Sequence, residues 1–285
     1  MKYQRVKTNG IQLNVGMAGP EDGPLVILLH GFPEFSYGWR HQIDELAQAG
    51  YRVWAPDQRG YNLSDKPRRI KDYRIDKLTA DAVGLIDAAG CESAYVVGHD
   101  WGAAVVWYMA EKYPNRVKKM VVMNVPNGRV MAHHLRTNPA QRKKSWYMFF
   151  FQIPWLPEFL LSRNNWAYAV KMLQSTAHEG AFTEEDLDQY REAWSQPRAF
   201  RSMINWYRAF LQKTPTSASS STTAKITVPT LLIWGAQDTA LGREMAQPSI
   251  DLCEDGELIF IEEATHWVQH DAPERVNQLL KEFLQ

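Results

Sequence analysis

A chain of 285 residues that is 45% hydrophobic can bury one large core, or a core with an insertion. Lys+Arg and Asp+Glu each number 32, so the net charge is zero and no basic patch draws in nucleic acid. Cys91 and Cys253 lack metal-ligand spacing and leave no disulfide framework, which fits a reducing cytosol, and Met1-Lys2-Tyr3-Gln4-Arg5 lacks a secretion signal's apolar run.

The first expected strand, 25–29, is apolar throughout, as in a parallel sheet covered on both faces. It runs into His30-Gly31-Phe32-Pro33, a tight turn that can aim the Phe32 amide at the turn beyond strand 95–97. A helix over 39–49, a strand over 52–55 and a helix over 75–89 come next. The strand at 95–97 leads into Gly98-His99-Asp100-Trp101-Gly102, and a helix over 103–112 leaves it. The apolar run 120–125 is a further strand, ending at Asn124 with no acid there. Strands at 230–234 and 258–261 and a closing helix over 273–284, with proline at its start, complete the pattern. Strands alternating with helices predict an α/β fold with a mostly parallel sheet flanked by helices.

The alternation fails between residues 127 and 227, which hold no convincing strand and are rich in Trp, Phe, Tyr, Arg and Met. The expectation is a core domain, 1–126 and 228–285, with a helical cap, 127–227, over the strand edge where open α/β sheets bind ligands. A longer outer layer of helices is the plainer alternative. The serine/threonine tract 217–223 reads as a flexible connection. The most apolar stretch, 147–161, is broken by Gln152, Pro154 and Pro157 and is too short to span a bilayer.

Gly98-His99-Asp100-Trp101-Gly102 has the form of a nucleophile elbow in its strand–turn–helix context, with aspartate where most carry serine. Flanking glycines allow the strained turn that lifts the middle side chain. A serine that opened an alkyl electrophile would be left as an ether. A carboxylate becomes an ester, which water can cleave to regenerate the enzyme. The electrophile is therefore an sp³ carbon, as in an epoxide or alkyl halide. Ester cleavage needs a base and an orienting acid, in the chain order nucleophile, acid, histidine. Asp238, after the strand 230–234, and His266, after 258–261, stand at the expected strand ends. Asp238 could otherwise be a turn former after Gly235. The Phe32 and Trp101 amides would form an oxyanion hole for water attack on the ester.

An opened epoxide leaves an alkoxide, which suits a neutral tyrosine donor. Tyr207 sits on a helical apolar face with Met203, Ile204, Phe210 and Leu211, and Tyr147 is a second candidate. Periodicity alone favours a core position over a catalytic one for each. Among the histidines, His99 is expected to pack or bond locally and His270 to be solvated. His41, His133, His134 and His178 have no partner legible in the sequence.

These residues resemble the epoxide hydrolases of the α/β-hydrolase superfamily over nearly the whole chain. The likeness is carried by His30-Gly31-Phe32-Pro33, the run Asp57-Gln58-Arg59-Gly60-Tyr61-Asn62-Leu63-Ser64-Asp65, the elbow, and Ala264-Thr265-His266-Trp267. It implies Asp100 as nucleophile, His266 as base and Asp238 as its acid. It also implies two cap tyrosines on the epoxide oxygen, matching Tyr147 ahead of Phe151-Gln152 and Tyr207 in Asn205-Trp206-Tyr207-Arg208. One departure is Asn127-Gly128, where many members have histidine and proline; it bears on the pocket's shape. The reading is a cofactor- and metal-independent cytoplasmic hydrolase, of use in detoxification, turning an apolar epoxide and water into a diol. It expects neither nucleic-acid nor membrane partners and leaves monomer or homodimer open. Phe32, Trp101, Phe150 and Trp206 are expected to line the substrate, and the aromatic cap (with Trp146, Phe149 and Trp155) suggests an aryl-bearing one. The rivals are a haloalkane or haloacetate dehalogenase and a non-catalytic ligand receptor.

Overall fold

In strand Leu25–Leu29, the side chains of Leu25, Ile27 and Leu29 enter one buried cluster and those of Val26 and Leu28 enter another. A strand's side chains alternate in direction, so a run apolar at every position is one covered on both faces. The computed structural model describes residues 1–212 and 224–285; the tract 217–223 lies outside them. Its sheet comprises β1 (Lys2–Thr8), β2 (Ile11–Ala18), β3 (Leu25–Leu29), β4 (Arg52–Pro56), β5 (Ala94–His99), β6 (Val117–Met123), β7 (Thr230–Gly235) and β8 (Gly256–Ile261). Their spatial order is β1-β2-β4-β3-β5-β6-β7-β8, parallel from β4 to β8.

β1 and β2, not anticipated from the sequence, form an antiparallel hairpin that joins β4 antiparallel. Asn9 and Gly10 at its tip both have positive φ (40° and 78°), the backbone a two-residue hairpin turn favours. β1 is an edge strand with only Val6 and Thr8 buried, so it lacks the continuous apolar run that marks the central strands. β6 ends at Met123, short of the expected 125.

Helices α1 (Arg40–Gln48) and α12 (Pro273–Leu284) pack on the Val26/Leu28 face through Ile43, Leu46, Leu279 and Leu280. Helices α2 (Ile75–Ala88) and α3 (Trp101–Lys112) cover the opposite face. Between β6 and β7 the described residues form no strand, only an isolated bridge from Ile226 to Cys253 and the helices α4 (Gly128–Thr137), α5 (Pro139–Lys144), α6 (Trp146–Phe150), α7 (Leu156–Thr176), α8 (Glu184–Ser195) and α9 (Ala199–Leu211). Local chemistry starts several of them. The Asn127 side chain accepts from the Arg129 amide, Asn138 precedes Pro139, and Thr183 with Asp186 closes a capping box. α7 is broken at Arg163–Trp166, where Asn164, Asn165 and Trp166 all have positive φ. After β7 come the short helices α10 (Ala246–Ile250) and, beyond β8, α11 (Val268–Asp271).

The insertion is tied to the sheet by directed bonds. Trp194 donates to the Pro33 carbonyl at 2.6 Å, Trp206 to the Arg59 carbonyl at 2.9 Å, and Tyr37 to Asp186 at 2.9 Å. The run from Asp57 to Asp65 is a scaffold for that edge. Asp57 accepts from Asn14, Asn62 and the Ser36 amide, and Asp65 accepts from the Gln12 amide.

Candidate active site

Asp100 sits at the sharp turn between β5 and α3 with φ 48° and ψ −121°, a left-handed backbone that costs a non-glycine residue about 1–3 kcal/mol. The helix begins at Trp101, two residues earlier than expected. Neighbours hold the turn closed. A Cβ on Gly98 would lie 2.6 Å from the Gly102 carbonyl, and one on Gly102 only 1.9 Å from the Leu29 oxygen. The glycines at minus two and plus two are therefore demanded by contact as well as by flexibility.

The turn lifts the Asp100 carboxylate to the C-terminal edge of the sheet. One oxygen, Oδ1, accepts from the Phe32 amide at 2.7 Å; the other, Oδ2, lies 3.7 Å from His266 Nε2. Trp101 supplies the first amide of α3, one of the N–H groups that a helix leaves without an internal partner.

His266, from the β8–α11 loop, binds Asp238 Oδ2 through Nδ1 at 2.7 Å. Its carbonyl accepts from His99 Nε2 at 2.7 Å, and Asp271 fastens the preceding residue through the Thr265 amide and hydroxyl. Asp238 is held in turn by the Ala240 and Leu241 amides (2.7 and 2.8 Å) and by Asn124 Nδ2 at 3.0 Å. Burial opposes charge on His266, but the Asp238 charge and contacts with Asp100 and Asp238 outweigh it and push its pKa up to about 10. Burial would raise the Asp238 carboxyl, and His266 and Asn124 bring it below its ordinary value.

Asn124 carried no signal in the sequence beyond standing at a strand end. It has φ 57°, donates to Asp238 and the Thr265 carbonyl, and accepts from the Gly235 amide at 3.0 Å. One side chain thus joins the ends of β6, β7 and the histidine loop.

Tyr147 on α6 and Tyr207 on α9 face each other with ring centroids 5.9 Å apart. The Tyr207 ring stands 5.0 Å from Trp101 and 5.2 Å from Phe32. Burial, then the Asp100 charge, raises both hydroxyls above the ordinary tyrosine value, so both stay protonated at neutral pH. Phe151, not Phe150, packs against Phe32 and Tyr207 (5.3 and 4.9 Å); Phe150 is half-buried beside Trp146. Trp206 is buried between Tyr61 and Trp101 with its indole committed to Arg59. Trp146, Phe149 and Trp155 point outward and are exposed, contrary to the expectation that the aromatic insertion turns toward a ligand. Composition does not say which face of a short helix each ring takes.

His270, expected to be solvated, is buried, because Glu34 lies beneath it. His270 Nε2 donates to Glu34 at 2.7 Å while Arg40 donates to its Nδ1 at 3.0 Å, which makes it a neutral ring. Tyr190 from α8 and Gln269 also donate to Glu34, and Gln269 donates to His99. Burial pushes Glu34 up, and the His270 and His99 rings more than reverse this. Of the others, His41 and His270 rings are 6.2 Å apart, His133 and His134 rings 5.7 Å apart, and His178 bonds the Glu263 carbonyl. Among the described residues no cluster of three or more His, Cys, Asp or Glu could hold a metal ion.

A family model described as the alpha/beta hydrolase fold matches residues 24–273. AB hydrolase superfamily protein YfhM of Bacillus subtilis is 48% identical, over 100% of this chain and 98% of its own. Epoxide hydrolase 1 of Caenorhabditis elegans is 40% identical, over 98% of this chain and 69% of its own. The crystal structure of Bacillus megaterium epoxide hydrolase in complex with an inhibitor superposes with a TM-score of 0.88 at 32% identity, covering 99% of each chain.

Proposed function

This chain belongs to the epoxide hydrolases of the α/β-hydrolase fold, and from that premise we propose that it converts an apolar epoxide and water to a vicinal diol through an ester on Asp100. One observation carries the reading: a carboxylate at the elbow has Oδ1 on the Phe32 amide and Oδ2 3.7 Å from a histidine that Asp238 anchors. That arrangement suits ester formation followed by ester cleavage.

In the first step Asp100 attacks a ring carbon from behind. The carbon–oxygen bond breaks, and a hydroxyl of Tyr147 or Tyr207 gives its proton to the departing oxygen. In the second, His266 takes a proton from water and the hydroxide adds to the ester carbonyl. Charge then gathers on Oδ1, where the Phe32 amide already sits and the Trp101 amide can join it. Collapse breaks the acyl–oxygen bond, the diol oxygen takes the proton held by His266, and the carboxylic acid returns its own proton to the tyrosinate. The diol keeps one oxygen that belonged to Asp100.

Tyr207→Phe is expected to slow ester formation by about a hundredfold, the usual loss for one donor to a developing oxyanion. With Tyr147→Phe added, rapid-mixing measurements should find almost no ester; an unchanged rate in the double variant would remove both tyrosines from the mechanism.

The same reading takes residues 127–227 as a cap on a core of 1–126 and 228–285, and Phe32, Trp101 and Phe151 as the apolar wall. It places the enzyme in the cytoplasm. No helix among the described residues is long and apolar enough to cross a membrane. A leaving halide calls for indole or amide donors and an epoxide oxygen for hydroxyl donors, so the paired rings of Tyr147 and Tyr207 favour an epoxide over a haloalkane. The test is a panel of terminal, aryl and internal epoxides beside haloalkanes. Diol without halide is the expected result, and halide without diol would transfer the assignment to a dehalogenase.

A further inference from the structure

The stretch from residue 146 to 159 presents an apolar surface that the chemistry above does not use. Trp146, Phe149, Ile153, Trp155, Leu156 and Phe159 are 63, 56, 44, 71, 40 and 57% exposed. They make up six of the twelve large hydrophobic side chains exposed among the described residues. Singly scattered apolar residues need no explanation, but six exposed ones within residues 146–159 mark a surface that something covers.

Trp155 strengthens the point. Its backbone is left-handed, φ 62° and ψ −28°, a conformation unfavourable for a bulky residue. This strained residue carries the most exposed of these rings.

Charge identifies the occupant. The chain as a whole is neutral, yet residues 136–171 contain six bases (Arg136, Arg142, Lys143, Lys144, Arg163, Lys171) and a single acid, Glu158. Arg208 neutralises Glu158 at 2.7 Å. The Arg163 guanidinium lies 5.3 Å over the Phe159 ring, placing a base at the patch itself, and Arg142 and Lys143 are exposed four and three positions before Trp146. Tryptophan and phenylalanine bordered by lysine and arginine match the boundary between acyl chains and anionic headgroups. A second copy of the chain fits worse, since a two-fold contact would set this cationic patch against itself.

We infer that, contrary to the expectation from the sequence of no membrane partner, this face of the insertion docks on the surface of an anionic lipid bilayer, its rings entering the headgroup layer without any segment crossing it. Helix α6 links that surface to the site. Trp146 and Phe149 face out, while Tyr147 and the adjoining Phe151 turn inward toward Tyr207. If the epoxide reading holds, bound enzyme meets poorly soluble epoxides where they concentrate. The lipid contact itself does not rest on that reading.

The experiment sediments the full chain with vesicles of phosphatidylcholine alone and of phosphatidylcholine mixed with phosphatidylserine. Binding is expected to favour the mixed vesicles and to weaken with salt. Arg142→Gln with Lys143→Gln should reduce it about 30-fold, at about fivefold per base. Trp155→Asp with Phe159→Asp should reduce it by at least about tenfold. Unfolding midpoints of both variants should stay within about 2 °C of the parent, because the altered side chains are exposed. Sedimentation with neither vesicle overturns the inference, as does binding that both variants leave unchanged. A dimer that Trp155→Asp with Phe159→Asp dissolves, without vesicle binding, would give the face to a second copy and also overturn it. Diol assays on a water-soluble epoxide run alongside, so failure of lipid binding and failure of the catalytic reading are read separately.

Discussion

Asp100→Asn is expected to lower diol formation by about ten-thousandfold or more, the scale seen when a covalent nucleophile is removed. The amide nitrogen and oxygen of asparagine are too weak as nucleophiles to open an epoxide carbon. Little else should change. Asparagine has nearly the size and shape of aspartate, so it can occupy the same turn at φ 48°. Its carbonyl can still accept from the Phe32 amide, now at 2.7 Å from Oδ1. The thermal midpoint should therefore stay near the parent's while turnover collapses. A variant retaining more than a few per cent of parental rate would mean that Asp100 does not attack the substrate.

His266→Gln is expected to separate the two halves of the reaction. Ester formation needs Asp100 and the tyrosines and should proceed at close to the parental rate. Ester cleavage needs a base and should fall by about a thousandfold or more. Intact-protein mass spectrometry would then show enzyme plus one substrate mass accumulating. Normal turnover, or no ester at all, would contradict the role given to the histidine.

The parent's pH profile follows from the same geometry. Between two carboxylates His266 is raised to about 10, so it is protonated in the resting enzyme at neutral pH. Ester formation removes the Asp100 charge, and with it one of the interactions that raise this value. The proton then leaves more readily, and the neutral ring can act as base. Ester cleavage should accelerate with rising pH and level off at an apparent pKa below 10. Single-turnover cleavage measured across pH 5–9 checks this, and a rate that falls as pH rises would carry the wrong sign.

The central strands were legible because β3, β7 and the inner parts of β5 and β6 are buried on both faces and so are written as short apolar runs. Asp100 and Asp238 could be placed because each follows such a run at its C-terminal end, and His266 because it follows the shorter apolar stretch of β8, which is less buried. β1 escaped notice because an edge strand buries few side chains. Glu34 and His270 are separated by 236 positions; no local pattern announces a partner brought by folding. Asn124 joined the site only through the pairing of β6 with β7. In the insertion, helical content could be expected, but helices as short as α6 (five residues) carry too little periodicity to say which ring turns inward. Trp146, Phe149 and Trp155 face solvent.

The most direct measurement is a single turnover in water enriched in heavy oxygen, with enzyme in excess over epoxide. If the substrate is captured by a carboxylate oxygen and released by attack at the carbonyl, the first diol carries ordinary oxygen at its new hydroxyl and Asp100 gains the heavy atom. Heavy oxygen in that first diol would show water adding directly to the epoxide, and no ester on Asp100 would remain in the mechanism.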